Sequence, residues 1–269
     1  MHPRTVAIIQ ARRMSTRLPD KVLLDIGGKP MLTRVVERTR RARLLDEVVV
    51  ATSTEAVDTG IEILCRERGY PCFRGSLQDV LDRYYQAACL YQAQVIVRLT
   101  ADCPMIDPGL IDELVEQYLG GVDAVEGKVD FPFPYDFAAN RLPPPWHRTY
   151  PIGLDAEVCS FQALERAWKE GSLPQHREHV MPYLYEEAGR FRVLVLNHDP
   201  DYGNMRWTVD TPADLEFARE IYARFDGKDD FTWLDVLSLV QREPQLAEIN
   251  AQMHQKDYRE TDRRSRHRT

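Results

Sequence analysis

Val6-Ala-Ile-Ile9 runs without a break into Gln10-Ala-Arg12-Arg13-Met-Ser15-Thr16-Arg17-Leu-Pro19-Asp-Lys21. A short apolar run of this kind reads as a buried strand, so the polar stretch after it leaves the strand at its carboxyl end. Open α/β sheets bind ligands at that edge. What emerges there suits a polyphosphate. Arg12, Arg17 and Lys21 supply guanidinium forks and an ammonium, and Ser15 and Thr16 supply hydroxyl donors; phosphate oxygens accept from all of these. Pro19 fixes one φ and limits collapse of the loop.

Outward from this loop, apolar runs alternate with segments of helical period, the pattern of an α/β fold with a mainly parallel sheet and helices on both faces. Met31, Leu32, Val35 and Val36 share one helix face, Val48 to Val50 is a strand, Ile61, Leu64 and Cys65 mark a second helix, and Pro71 to Phe73 is a short strand. Ser76 with Asp79 reads as a capping box ahead of Val80, Tyr84 and Ala88. Val95 to Val97 is the next strand, and Asp107-Pro108 supplies a cap and a first-turn proline for a helix with Leu110, Leu114 and Tyr118. Beyond Val125 the rhythm breaks. Lys128 to Pro151 contains Phe131-Pro-Phe-Pro-Tyr135 and Leu142-Pro-Pro-Pro-Trp146, too rich in proline for a central strand and too aromatic for a disordered linker. We expect an excursion that covers the site or meets a second subunit. Alternation resumes over Leu154 to Val158, with Asp155 and Glu157 on one face. Helices are expected near Phe161 to Glu170 and Glu178 to Glu187, strands over Phe191 to Leu196 and Trp207 to Val209, and a capping box at Thr211 and Asp214. The domain would span residues 1–226, followed by a helical extension over 227–256 and a basic tail over 257–269 with little that can pack.

The 269 residues, 43% of them hydrophobic, can build a substantial core, and a net charge of -7 argues against a general nucleic-acid binder. Cys65, Cys72, Cys89, Cys103 and Cys159 form neither a C-x-x-C pair nor an even framework, as expected of free thiols in a reducing cytoplasm. No apolar stretch approaches the roughly 20 residues needed to cross a bilayer. The chain lacks G-x-G-x-x-G and G-x-x-x-x-G-K-[ST], so hydride transfer and P-loop chemistry have no motif behind them.

A polyphosphate loop implies magnesium, which takes one or two carboxylates together with phosphate oxygens. Asp102 in Arg98-Leu-Thr-Ala-Asp102-Cys-Pro104 follows a strand, and Asp210 in Arg206-Trp-Thr-Val-Asp210-Thr-Pro212 precedes a helix. Each alone is as well placed for a turn or a cap. The segments occur together, and in this order, in the cytidylyltransferases that activate acidic sugars as CMP derivatives. The chain resembles that family over about residues 5 to 225, and within it the branch of spore-coat polysaccharide biosynthesis protein F. Segments similar to that branch are Val50-Ala-Thr-Ser-Thr54, Phe73-Arg-Gly-Ser76, Asp79-Val-Leu-Asp82-Arg83-Tyr84, Tyr150-Pro-Ile-Gly-Leu-Asp155-Ala-Glu157 and Arg177-Glu-His179-Val.

The resemblance implies a nucleotide-diphospho-sugar-transferase-like, Rossmann-like three-layer sandwich, usually a homodimer. It also implies that Arg12, Arg17 and Lys21 bind the triphosphate of CTP, with Ser15 beside them, and that Asp102 and Asp210 hold Mg2+. Thr52, Ser53, Arg74 and Ser76 would face the base and ribose. Asp155 and Glu157 would contact an acidic acceptor, unless Glu157 sits inside the sheet and binds nothing. Arg177 and His179 are further acceptor candidates, with a surface role as the alternative for the histidine. Two positions depart from the family: Asp20 stands where it has Gly before the lysine, and Ala101 where it has Gly or Asn before the metal Asp.

The implied reaction is in-line attack by an acceptor hydroxyl or phosphate oxygen on the α-phosphorus of CTP, with pyrophosphate leaving, for surface polysaccharide or glycoconjugate synthesis. Arg12, Lys21, Asp102 and Asp210 would carry it by positioning and charge neutralisation. Two other readings stay open. A glycosyltransferase of related fold would need an Asp-x-Asp pair, for which Asp199-Pro-Asp201 is the candidate, although the following Tyr202-Gly203 favours a turn. A non-catalytic interaction protein would need none of Arg12, Lys21, Asp102 and Asp210.

Overall fold

The computed structural model describes residues 2–120, 133–142 and 148–253. Strand and helix alternate through the first of these. β1 (Thr5–Gln10), a small hairpin of β2 (Asp25–Ile26) and β3 (Lys29–Pro30), α1 (Met31–Thr39), β4 (Glu47–Ser53), α2 (Thr59–Arg68), β5 (Cys72–Gly75), α3 (Val80–Leu90), β6 (Val95–Thr100) and α4 (Pro108–Tyr118) follow in order. Then come β7 (Phe137–Ala139), β8 (Glu157–Ser160), α5 (Phe161–Glu170), α6 (Pro174–His179), α7 (Pro182–Tyr185), β9 (Val193–Val195), α8 (Pro212–Arg224), α9 (Trp233–Arg242) and α10 (Gln245–Glu248).

One seven-stranded sheet carries the order β5-β4-β1-β6-β8-β7-β9. β5, β4, β1 and β6 are mutually parallel; β8 runs against both of its neighbours, and β9 is parallel to β7. Alternate residues of each strand serve opposite layers. Val48 and Val50 of β4 pack with α1, α2, α4, α8 and α9, whereas Val49 and Ala51 pack with α3, α5 and the short α7. The expected α/β architecture is therefore present, with a helical layer on each face. Among the described residues no helix is long and apolar enough to cross a membrane.

Local expectations fail where a side chain takes a different job. Asp79, not Ser76, caps α3: its carboxylate accepts from Asp82 N, while Ser76 Oγ accepts from Asp79 N. The helix expected over Glu178 to Glu187 is broken into α6 and α7, because Val180 adopts φ 72° and Pro182 cannot continue a helix. Trp207 to Val209 is not a strand; Arg206 alone bridges to Ile152. Leu154 to Val158 enters the sheet only at Glu157. The Pro-rich stretch is not a pure excursion either, since its proline-free Phe137–Ala139 is β7, inside the sheet. Its runs at 131–132 and 143–147, and the basic tail, lie outside the described residues.

The C-terminal helices share the main core through Phe231, Trp233, Val236 and Leu246. Arg38 ties them down: from within the core it donates to the carbonyl oxygens of Ile106 (2.8 Å), Asp229 (2.9 Å) and Phe231 (3.0 Å). A buried guanidinium is tolerated here because each nitrogen has an acceptor.

Candidate active site

The parallel strands deliver their following loops to one edge. Ala11 N donates to Ala51 O and Ala101 N to Gln10 O, so the chain past β1, β4 and β6 stays laced together as it leaves the sheet. Lys21 then reaches across to the far side of that edge. Its ammonium lies 2.9 Å from Asp102 Oδ2, 2.8 Å from Asp210 Oδ1 and 2.9 Å from Val209 O. Residues 81 and 189 positions away in sequence are thus joined by one cation. Burial opposes the Lys21 charge, but the two carboxylates outweigh it and raise its pKa. Burial likewise opposes ionisation of Asp102, yet the Lys21 ammonium and the Thr100 hydroxyl, 2.6 Å from Asp102 Oδ1, bring its pKa down to about 2.

Asp102 and Asp210 are held together by backbone as well. Val209 N donates to Asp102 O at 2.8 Å, and Thr208 Oγ1 to the same oxygen at 3.1 Å. Beneath them lies a buried arginine-aspartate pair. Arg206 donates through Nε to Asp214 Oδ1 (2.9 Å) and through Nη2 to Asp214 Oδ2 (3.0 Å), and the same Nη2 reaches Asp210 Oδ2 at 3.1 Å. Asp214 Oδ2 also accepts from Asp210 N and Thr211 N, so the expected capping box of α8 is built into the site's floor. Asn250 closes the network, donating to Asp214 Oδ1 and Arg206 O. Arg206 and Asp214 appear in the sequence only as part of a motif and of a cap. Asn250, beyond the family-like stretch, carried no signal.

Gly153 is required by this arrangement. Its φ is +107°, and a Cβ there would lie 2.5 Å from Thr208 N and 2.7 Å from Trp207 C. Those are backbone atoms just ahead of Asp210 and cannot yield without moving it. Gly153→Ala should destabilise the fold by about 3 kcal/mol through strain and overpacking and lower turnover; an unchanged melting curve would show that the backbone has slack.

The loop residues divide into two groups. Arg17 pairs with Asp210 at 3.0 Å. Among the described residues Arg12 enters none of the ion pairs around it, and Ser15 Oγ accepts from Leu18 N. Asp20 has φ 59°, the left-handed conformation for which glycine is the easy choice, and its carboxylate is anchored 2.7 Å from Arg13 Nε. The departure from glycine thus leaves the loop's course to Lys21 intact.

Most of the other expected nucleotide and acceptor residues are engaged with partners of their own in the free protein. Ser53 Oγ donates to the Asp58 carboxylate, and Arg74 is bound to Ser53 O, Glu55 O and Glu62. In the free protein both shape the β4–α2 connection. Thr52 Oγ1 is buried without a hydrogen-bond partner, and Ser76 serves the start of α3. Arg177 fastens α6 to the Asp79 carboxylate and to Trp168 O, and His179 lies on the same short helix. Glu157 sits inside the sheet, ion-paired with Arg98 from β6. Asp155 joins that cluster with Arg141 (3.2 Å) and Arg148 (3.1 Å). Asp201 Oδ1 accepts from Gly203 N, which makes Asp199-Pro-Asp201 part of a turn.

Known proteins resemble this chain in sequence and fold. The family model described as cytidylyltransferase matches residues 6–259. An uncharacterized protein of Methanocaldococcus jannaschii is 36% identical over 260 residues, covering 96% of this chain and 98% of that one. The spore coat polysaccharide biosynthesis protein SpsF of Bacillus subtilis is 31% identical over 251 residues, 89% of this chain and 95% of its own. A cytidylyltransferase structure from Leptospira borgpetersenii superposes with a TM-score of 0.82 at 30% identity, covering 95% of this chain and all of that one. With a matching family model across nearly its whole length and the Lys21-centred pair of carboxylates at the sheet edge, the chain belongs to the cytidylyltransferase family.

Proposed function

We propose that this cytidylyltransferase transfers CMP from CTP to an acidic acceptor with release of pyrophosphate, in the synthesis of a surface polysaccharide or glycoconjugate. The observation that carries the reading is the convergence of Asp102 and Asp210 on one cation beside a loop whose Arg12 has no ion-pair partner among the described residues. Two carboxylates already gathered around an ammonium fit a shared Mg2+, which completes its shell with phosphate oxygens and water. Magnesium held by Asp102 and Asp210 would supply charge neutralisation at the α-phosphate. Arg12 and Arg17 would bind the departing pyrophosphate, and Lys21 would stabilise charge as it builds there.

The acceptor side supports an anion. Among the described residues Arg98, Arg141 and Arg148 form ion pairs with Asp155 and Glu157, three guanidinium groups to two carboxylates. The name of the Bacillus relative supports the polysaccharide role. Purified protein, CTP and Mg2+ should release pyrophosphate with sugars bearing a carboxylate or phosphonate and at least about tenfold more slowly with their neutral methyl esters. Equal rates with the esters would remove the acidic acceptor from the reading.

A further inference from the structure

Among the largest wholly buried side chains are three arginines, and they are not alike. Arg38 donates to three carbonyl oxygens, and Arg34 to the carbonyls of Ile26 and Gly227 and to the Asp229 carboxylate. Arg83, in the first turns of α3, has none among the described residues: Nε and both Nη atoms are buried without a hydrogen-bond partner there. An ionised group held this way costs several kcal/mol, about as much as any single residue can contribute. Burial lowers its pKa accordingly. Arg83 belongs to the Asp79-Val-Leu-Asp82-Arg83-Tyr84 segment, to which the acid pair gives no role.

Its surroundings point toward the nucleotide. The stem lies on Gly75, the last residue of β5, where a Cβ would come within 3.0 Å of Arg83 Cγ and 2.9 Å of the Phe73 ring, so glycine leaves the room that the arginine fills. Arg12 from the phosphate loop, with Asp58 and Asp79, is near enough to act on its charge. In the sheet, β4 and β5 lie two and three places out from β6, which delivers Asp102. At ~4.8 Å per strand that is ~10–14 Å, the direction in which the nucleoside must extend if its phosphates occupy the β1–β6 edge.

We propose that Arg83 reads the base: its donors are completed by the two adjacent acceptors of a bound cytosine, the C2 carbonyl oxygen and N3. This rests on the CTP reading above. Guanidinium is donor-only, and uracil presents N3–H at the same place, donor against donor. Because none of the three nitrogens reaches solvent in this structure, the side chain or the residues over it must move when the nucleotide binds. The group is thereby a cost in the free protein and a source of selectivity in the complex.

Arg83→Met, close in length and uncharged, separates this role from a structural one. Its melting temperature without ligand should equal or exceed that of the parent, since an unpaired buried charge is removed. Thermal shifts read with CMP, UMP and pyrophosphate test the base directly. The parent's preference for CMP over UMP should fall ~10–100-fold in the variant, the worth of a two-point contact to a base, with the pyrophosphate shift unchanged. In turnover, KM for CTP should rise while KM for the acceptor stays. A lower melting temperature in the ligand-free variant, or an unchanged CMP preference, would overturn the proposal. Equal losses with CMP, UMP and pyrophosphate would make Arg83 a phosphate ligand and overturn it as well. Absence of turnover in a parent that still prefers CMP through Arg83 would count against the transfer reaction and not against the base reader.

Discussion

Lys21→Ala should reduce pyrophosphate release about 10^3-fold or more, the scale seen when a charge-stabilising group is removed from a dry, preorganised site. The variant loses more than a phosphate contact. Lys21 is the cation between Asp102 and Asp210, and without it two carboxylates face one another with only Arg17 and Arg206 on the outer oxygen of Asp210. Breaking a buried pair by removing one partner costs about 3–5 kcal/mol, and partial exposure of Asp102, 28% of its side chain, puts this site at or below the low end. Mg2+ should then stabilise the variant more than the parent, because the vacated place between the carboxylates suits it. Single-turnover assays with urea melts at several Mg2+ concentrations measure both effects. A variant that turns over within tenfold of the parent would refute the role assigned to Lys21.

The largest loss of stability should come from Asp214→Ala. Asp214 is wholly buried and accepts from Arg206 twice, from the backbone of Asp210 and Thr211, from the Thr211 hydroxyl and from Asn250. Its removal leaves the Arg206 guanidinium buried with one carboxylate partner fewer, at a cost of about 3–5 kcal/mol, and frees the backbone that positions Asp210. Activity should fall with it. The pH dependence has a definite sign. Burial opposes the Asp214 charge, but its bonds to Arg206 outweigh this and hold the folded pKa below the ordinary value. The stabilisation is therefore complete above the unfolded pKa of about 3.9 and is lost as pH falls through the folded one; Asp102, with a pKa of about 2, acts in the same direction. Acid titrations of stability should show a shallower slope between about pH 4 and pH 2 in Asp214→Ala than in the parent. An identical slope would mean that Asp214 does not carry this linkage.

Much of this was legible in the chain itself. β1, β4 and β6 announce themselves as apolar runs, and the caps at Asp107 and Thr211 stand where the sequence puts them, because a cap needs only its own next three residues. Expectations failed where the decision was not local. Phe137-Ala-Ala139 is a strand because β8 and β9 flank it, in a stretch whose prolines argue against one. Arg74 and Arg177 have the chemistry of ligand contacts, and only the fold shows that Glu62 and Asp79 are their partners in the free protein. Nothing in the neighbourhood of Asn250 marks it as the closing member of the Arg206–Asp214 network.

The sequence by itself determined the alternation of β1, β4, β5 and β6 with their helices, the arginine-rich loop after the first strand, and the presence of two aspartates that could serve a phosphate-bound metal. These follow from periodicity and from the chemistry of single side chains. Only the tertiary structure decided that Lys21 bridges those aspartates, that Glu157 is a partner for Arg98 inside the sheet, and that Arg83 alone of the three largest buried arginines has no acceptor among the described residues. The physical reason is one of range. Backbone conformation and capping are settled within a few residues, whereas the partner of a charged side chain is settled by which distant segments the sheet brings within ~3 Å.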